Sequence, residues 1–568
     1  MVTAEGDSTR LDYAIVGGGV SGLYTAWRLL GHAQENGLPP PSVAVFELGD
    51  RTGGRLLTWL PAGPDGGLRA ELGGMRFFSQ QELVWNLLAQ LGFGADDILP
   101  FPVSGPDCPN LRLLLRGVSM PLDSPDPTSR YLLPSNEQGK LPSALLEDVI
   151  AEVLGTPENK AVIDEYLGGQ APQDREQWDT VKPYLTWRGE ELWNVGFWDL
   201  ISDVRTPETY QYITDAYGYY CLAANWNAAE AMQHVSVEYI QSPAYMTLKE
   251  GYSALPDALA RKVAEGGCEI HLQTRLVRFD ARDDGSSLLE LAGPQGSFTV
   301  QAEQVFLAMP VRSLELLAPS FGFDLQGDSE LKRLVQSARP YPAFKLFLFY
   351  DARWWETYGI QRGRSICDLP IRQTYYFAPD SQPGVPSPPF GLLMASYDDS
   401  RAVDYWQGLV PPEDEWEPGR GELRDALVAL TRDVGPAAAA EDFVPDPPPH
   451  LHKATDEMLR HAKTQLALLH DVPEDQIPDP VVGAFADWGL DPFGGGWNYW
   501  APQVDVRSAM ERIKTPVGPD RRVYVVGDAY SGTQGWVEGA LTATEVVLER
   551  YLGLPRPSWL PESYYLGW

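Results

Sequence analysis

The chain has 568 residues, with 78 acidic against 44 basic side chains and a formal net charge of −34. That length suits two or three domains with a large core, and the charge argues against a nucleic-acid partner. Four cysteines (Cys108, Cys221, Cys268, Cys367) share no CxxC spacing and seven histidines form no HExxH, so neither a metal centre nor a disulfide framework is expected. No apolar run approaches the roughly 20 residues that span a bilayer, and the polar first residues carry no basic and apolar signal. A cytoplasmic protein without a membrane partner is the expectation.

Tyr13 to Val16 is a short apolar run bounded by glycine, the pattern of a buried parallel strand. Val20 to Leu30 then places Leu23, Trp27 and Leu30 at helical spacing, with Gly17-x-Gly19-x-x-Gly22 in between. Gly17 permits a tight turn, Gly19 lets the backbone approach a pyrophosphate, and Gly22 allows close packing of helix on strand. The helix start at Val20 and Ser21 offers free N–H groups and a positive dipole end to phosphates. A second strand, Val43 to Phe46, ends in Glu47, about 25 positions past Gly22, against the roughly 20 expected of a ribose-binding carboxylate.

Glu47-Leu48-Gly49-Asp50-Arg51-Thr52-Gly53-Gly54-Arg55 adds a Gly-Gly-Arg turn that nicotinamide dehydrogenases do not need. With it the chain resembles the flavin amine oxidase family, in which Gly53, Gly54 and Arg55 hold the FAD pyrophosphate. The continuation Ala70-Glu71-Leu72-Gly73-Gly74-Met75-Arg76-Phe77 resembles one branch of it, the L-amino acid oxidases and their amino acid 2-monooxygenase relatives.

Further along, Gln81 to Gly92 carries apolar residues at helical spacing. From about Phe101 proline and glycine punctuate the chain, with one clear helix at Ala144 to Leu154 and an aromatic-rich helical stretch from Trp193 to Tyr239. The aromatics of Tyr217-Gly218-Tyr219-Tyr220 read as core. Lys249 to Leu259 resembles the family again, with Ser253 a candidate cap for the helix that follows to about Glu265. Strands are expected at Glu269 to Leu272, Thr274 to Phe279 and Gln304 to Met309. Beyond Val311, strands at Lys345 to Tyr350, Thr374 to Phe377 and Gly391 to Tyr397 alternate with helices near Gly421 to Arg432 and Thr455 to His470. Proline-rich loops at Pro379 to Pro389 and Pro445 to Pro449 separate them, and His450 and His452 are expected in solvated loop. Ala484 to Trp488, Asp491 to Trp497, Arg522 to Asp528 and Gly535 to Ala540 return to family-like blocks.

The resemblance implies an α/β fold: a Rossmann-like FAD-binding domain from discontinuous segments (1–100, 249–310 and 483–568), a largely helical insertion (101–248) and an α+β substrate-binding domain (311–482). It implies oxidative deamination of an L-amino acid by hydride transfer from Cα to flavin N5, yielding the 2-oxo acid, ammonia and hydrogen peroxide. The monooxygenase outcome and an amine or polyamine oxidase are the alternatives. Non-covalent FAD is expected, because Gly-Thr-Gln-Gly at 532–535 offers no Cys or His for the family's covalent linkage. The partners implied are a small L-amino acid and O2; related enzymes are often dimers, and the sequence leaves the assembly open.

Residue by residue, the family's FAD contacts fall on Gly17, Gly19, Val20, Ser21, Gly22, Glu47, Gly54, Arg55, Gly73, Gly74, Met75 and Arg76. They continue on Leu276 (a backbone contact to adenine), Trp488, Gly527, Asp528, Gly535, Trp536, Val537 and Ala540. Arg76 is the candidate carboxylate clamp, because a planar guanidinium grips a carboxylate bidentately. Gly535 and Trp536 would wall the substrate. Lys345, in a strand of large apolar residues, matches a lysine that holds a water near N5. Tyr375, Tyr376, Ser396, Tyr397 and Trp497 lie on segments expected to face the side-chain pocket, with Tyr376 and Tyr397 as substrate contacts. No general base is assigned, since His234 is displaced by five from the family's histidine position. Asp203, Asp215 or Glu538 would favour a basic side chain and the aromatics an apolar one.

Overall fold

The computed structural model describes residues 9–61, 68–241, 244–377, 390–412, 418–431 and 446–567. The expected proline-rich loop at 379–389 and Pro445 lie outside them. Thr9–Val16 is central to a seven-stranded sheet. It pairs in parallel with Val43–Phe46 on one side and Gly296–Leu307 on the other. Glu269–His271 extends the sheet beyond Val43–Phe46, and Val523–Val525 pairs with the end of Gly296–Leu307.

Side chains alternate between two cores. Ile15, Val43, Val45 and Phe306 face the helices Val20–Glu35, Ala254–Glu265 and Val537–Arg550, while Ala14, Val16, Ala44 and Leu307 face the opposite layer. Burial of both faces is why these strands read as unbroken apolar runs. Register sets Val16 against Phe46 and Leu307, and Leu307 against Val525. The parallel strands therefore end on one line, at the edge where an open α/β sheet holds its ligand.

The second sheet has eight strands, in the order His452–Lys453, Val482–Asp487, Ala343–Tyr350, Gly391–Asp399, Gln373–Tyr376, Gly363–Cys367, Arg112–Leu115 and Val118–Pro121. Three of its members cross the expected boundaries: Arg112–Leu115 and Val118–Pro121 were placed with the helical insertion, and Val482–Asp487 falls mostly in the segment assigned to the FAD-binding domain. Lys345, Phe347 and Phe349 share a face with Tyr375, Met394 and Ala486, packed against Leu72 and Met75. Phe344, Leu346 and Leu348 point the other way with Tyr376 and Phe485. The insertion packs Pro142–Leu154, Phe197–Val204, Pro207–Ala216 and Ala228–His234 around its own core. Among the described residues no helix is long and apolar enough to cross a membrane.

Two local expectations differ. Ser253 does not cap the helix after it; its hydroxyl accepts the Thr58 N–H at 2.6 Å, and its own N–H donates to Thr58 Oγ1 at 3.0 Å. The pair knits Thr58 to the helix start instead. His452 lies in a strand beside Phe485, and His450 packs edge-on to Phe493 and near Trp488. His450 does lie in a turn, but both rings are partly buried, and burial lowers both imidazoles, His452 to about 4.

Candidate active site

A cavity of about 730 Å³ runs from the strand ends to the aromatic face of the second sheet. Its first half is the glycine turn. Gly17 takes φ +108°, and a Cβ there would sit 2.2 Å from the Ala308 carbonyl oxygen. A Cβ at Gly22 would lie 2.0 Å from the Gly17 oxygen, so Gly22 serves helix packing and does not line the cavity. A Cβ at Gly19 would meet nothing within 4 Å, because that position opens onto the cavity. The helix after it has no side-chain cap and no acid in its first turn, leaving its orphan N–H groups and dipole for an anion.

Glu47 accepts the N–H groups of Gly18 at 2.6 Å and Gly49 at 2.7 Å, which fixes its carboxylate at the cavity edge. Arg55 pairs with Asp528 and donates to the Gly496 carbonyl at 3.2 Å; Asp528 also accepts from Gly535 N–H at 3.3 Å. Val20, Ser21, Gly54, Gly73, Gly74, Met75, Leu276, Gly527, Val537 and Ala540 complete this lining. At Leu276 the ladder slips register before Arg278, freeing local backbone from regular pairing. Trp488 sits behind the wall, its indole donating to the Leu72 carbonyl at 2.7 Å.

Arg76 marks the second half. Its Nη1 donates to the Tyr375 hydroxyl at 3.2 Å and its Nη2 to Tyr219 at 3.4 Å, and its guanidinium carbon lies 3.8 Å from the Tyr245 ring centroid. Burial disfavours its charge, but the surrounding phenols outweigh that and hold its pKa well above the usual value. Among the described residues no carboxylate pairs with it. Burial raises the Tyr375 phenol, yet Arg76 and Arg364 together bring it below its ordinary range. Asp399 seats the neighbouring loop by accepting the N–H groups of Tyr220 at 2.8 Å and Cys221 at 3.1 Å, which brings Tyr219 to the cavity.

Trp536 lines the cavity with its ring 4.3 Å from Phe78 and its indole N–H donating to Glu238 at 2.6 Å. Tyr397 lies on the wall between Tyr219, at 5.5 Å ring to ring, and Lys345, whose ammonium is 4.7 Å from the Tyr397 centroid. Lys345 itself is a layer back. Its Nζ donates to the carbonyls of Glu71 at 2.8 Å and Gly73 at 2.6 Å, bracing the turn that carries Arg76. Burial pulls Lys345 down to about 7 and pushes Glu71 up to about 7, each offset in part by the other.

Tyr376 corrects one expectation. Its hydroxyl meets Ser365 at 3.0 Å and His470 at 2.9 Å in the opposite core, because successive residues of a strand face opposite sides. Tyr375 takes the place expected of it. Ser396 is likewise turned away, bonded to Asp398 at 2.6 Å. The three candidate acids are all committed elsewhere: Asp203 to Trp187 and Arg188, Asp215 to Tyr131 and Gln211, and Glu538 to the start of the helix Glu82–Gln90. None lines the cavity. Sequence reasoning assigned no role to the cavity residues Arg51, Tyr239 and His450; Arg51 alone carried a signal, as the arginine within the Gly-rich turn.

The sequence pattern of flavin containing amine oxidoreductases matches residues 20–442. Aplysianin-A of Aplysia kurodai is 24% identical over 95% of this chain and 90% of its own. Achacin of Lissachatina fulica is 24% identical over 96% and 93%. An L-amino-acid oxidase of Demansia vestigiata is 21% identical over 93% and 84%. A solved putrescine oxidase double mutant, redesigned in cofactor binding, superposes with a TM-score of 0.57 at 15% identity, covering 96% of this chain and 99% of that one; at that identity the likeness is one of fold. With a nucleotide crevice, a Gly-Gly-Arg turn and a sequence pattern that spans most of its length, the chain belongs to the family of flavin containing amine oxidoreductases.

Proposed function

We propose that this protein is an FAD-dependent L-amino acid oxidase, converting an L-amino acid, O2 and water into the 2-oxo acid, ammonia and hydrogen peroxide. The observation that carries the reading is Arg76, a guanidinium on the cavity wall with two phenols and a ring face but no carboxylate among the described residues. A substrate α-carboxylate completes that set; a simple amine leaves the cation without a counter-charge.

The glycine half of the cavity fits the cofactor: the open Gly19 position and the uncapped helix suit a pyrophosphate, Glu47 a ribose, and Arg55 with Asp528 the chain between. FAD is held there without covalent attachment. When bound, it supplies the two-electron acceptor and its reoxidation by O2. The residues do the positioning. Arg76 and Tyr375 fix the carboxylate, and Trp536 closes the wall. The side chains shown against Arg76 (Phe101, Tyr219, Tyr245, Tyr375) are aromatic, which favours a neutral amine and a large apolar or aromatic side chain over a basic one. Lys345, one layer behind the wall, braces the turn that carries Arg76 through the Glu71 and Gly73 carbonyls.

An oxygen-electrode screen of the common L-amino acids, their D-enantiomers and simple amines tests this. Oxygen uptake with L-amino acids, and 2-oxo acid as product, is expected. Turnover of amines alone overturns the reading, and an amide product makes the protein a monooxygenase.

A further inference from the structure

The helix Ala228–His234 continues as a π-helix over Val235–Ile240. Such segments are rare and recur at functional sites because the extra residue re-aims the side chains that follow. Here it brings Tyr239 to the cavity wall and Glu238 to the indole of Trp536. Glu238 Oε2 accepts the Trp536 Nε1–H at 2.6 Å, and its Oε1 lies 3.2 Å from His234 Nδ1. Both carboxylate oxygens are therefore held. His234 is itself wedged by rings, edge-on to Trp226 at 5.0 Å and 5.4 Å from Tyr239. Trp536 rests against Phe78 at 4.3 Å and nearly parallel to Tyr245 at 6.5 Å and 17°. Those ring contacts leave the indole free to slide in its plane; a directional bond from a braced carboxylate does not.

We propose that Glu238, braced by His234, is a positioning residue that fixes where the Trp536 indole lies within its plane and so how far its edge reaches into the substrate side of the cavity. What the wall encloses rests on the amino acid oxidase reading; the coupling of Glu238 to Trp536 does not. A loosened wall weakens substrate holding more than the reaction itself. Glu238→Ala is expected to raise KM for the best substrate about tenfold, the scale of one lost charge-assisted hydrogen bond, with kcat within about threefold. It also shifts the kcat/KM ratio toward bulkier side chains. Glu238→Gln keeps an acceptor oxygen and is expected to restore both.

The deciding measurement is fluorine NMR of the holoenzyme labelled with 5-fluorotryptophan, the Trp536 resonance being the one absent in Trp536→Phe. That resonance is expected to broaden or move in Glu238→Ala and to return toward its wild-type position in Glu238→Gln. His234→Phe, which keeps the ring packing but loses the brace, is expected to shift it in the same direction by less, and decides the matter if Glu238→Ala does not fold. A resonance unchanged in the folded variants, or a loss of kcat with KM unaltered, overturns the proposal. Wild type that oxidises no L-amino acid overturns the functional reading alone, because the resonance still reports the coupling.

Discussion

The guanidinium carbon of Arg76 lies over Tyr245, 3.8 Å from the ring centroid. A desolvated cation–π contact of this kind contributes about 1–2 kcal/mol. Tyr245→Leu is therefore expected to raise KM for the amino acid by roughly five- to thirty-fold with a smaller change in kcat. Tyr245→Phe keeps the ring face and stays within about twofold. Steady-state kinetics of the two variants check this, and equal effects of both contradict it.

The glycine turn separates cofactor space from packing space. At Gly19 a Cβ has no protein neighbour within 4 Å, whereas at Gly22 it collides with the Gly17 carbonyl oxygen at 2.0 Å. Gly19→Ala is expected to leave the melting temperature of flavin-free protein unchanged while lowering the flavin-to-protein absorbance ratio. Gly22→Ala is expected to lower both. Full flavin content in Gly19→Ala contradicts the placement of the phosphates.

Lys345 donates to two carbonyls in a buried layer. Removing that donor leaves two buried carbonyls unpaired and Glu71 without its cation, so Lys345→Met is expected to fold with a melting temperature lowered by several degrees. It is expected to leave KM within about threefold and to slow the anaerobic bleaching, the reoxidation or the release of product by tenfold or more. Stopped-flow absorbance separates the phases. Rates within about twofold throughout make Lys345 a brace for the Gly73 turn and nothing more.

Parallel strands, the glycine turn and the Arg76 block were legible because each is a local pattern: an apolar run, a fixed spacing, an arginine after two glycines. The reach of the second sheet was not, since Arg112–Leu115 pairs with Gly363–Cys367 across some 250 positions and nothing local announces the partner. The same limit explains Tyr375 and Tyr376. Only the register of Gln373–Tyr376 against its neighbours decides which tyrosine shares a face with Lys345. Asp203 and Glu538 read as free acids because their partners are distant in sequence or are backbone N–H groups, and Asp215 because Tyr131 is 84 positions away.

Burial gives the fold an acid sensitivity. His470 is held between the Tyr376 hydroxyl and the Leu466 carbonyl, and desolvation lowers it to about 4 from an ordinary value near 6.5. The unfolded chain therefore takes up a proton that the folded protein refuses, so this stabilisation is full above about pH 6.5 and is lost as pH falls toward 4. His452, also lowered to about 4, acts in the same direction. Between pH 7 and 5 His470 alone accounts for about 2 kcal/mol. Urea unfolding at both values should show that difference shrink in His470→Gln; an unchanged difference contradicts the assignment.

On the proposed function, Arg76 reads an α-carboxylate. Breaking one partner of a buried charge pair costs about 2–5 kcal/mol, so Arg76→Ala should lower kcat/KM for the best amino acid by roughly thirty-fold to several thousand-fold. Arg76→Lys should recover only part, because an ammonium does not reproduce the planar fork. The most direct measurement is oxygen uptake with that amino acid and with its decarboxylated amine, in wild type and in Arg76→Ala. Wild type is expected to prefer the amino acid, and that preference to narrow sharply in the variant. Comparable wild-type turnover of the two, unaffected by Arg76→Ala, would contradict that reading and make the protein an amine oxidase.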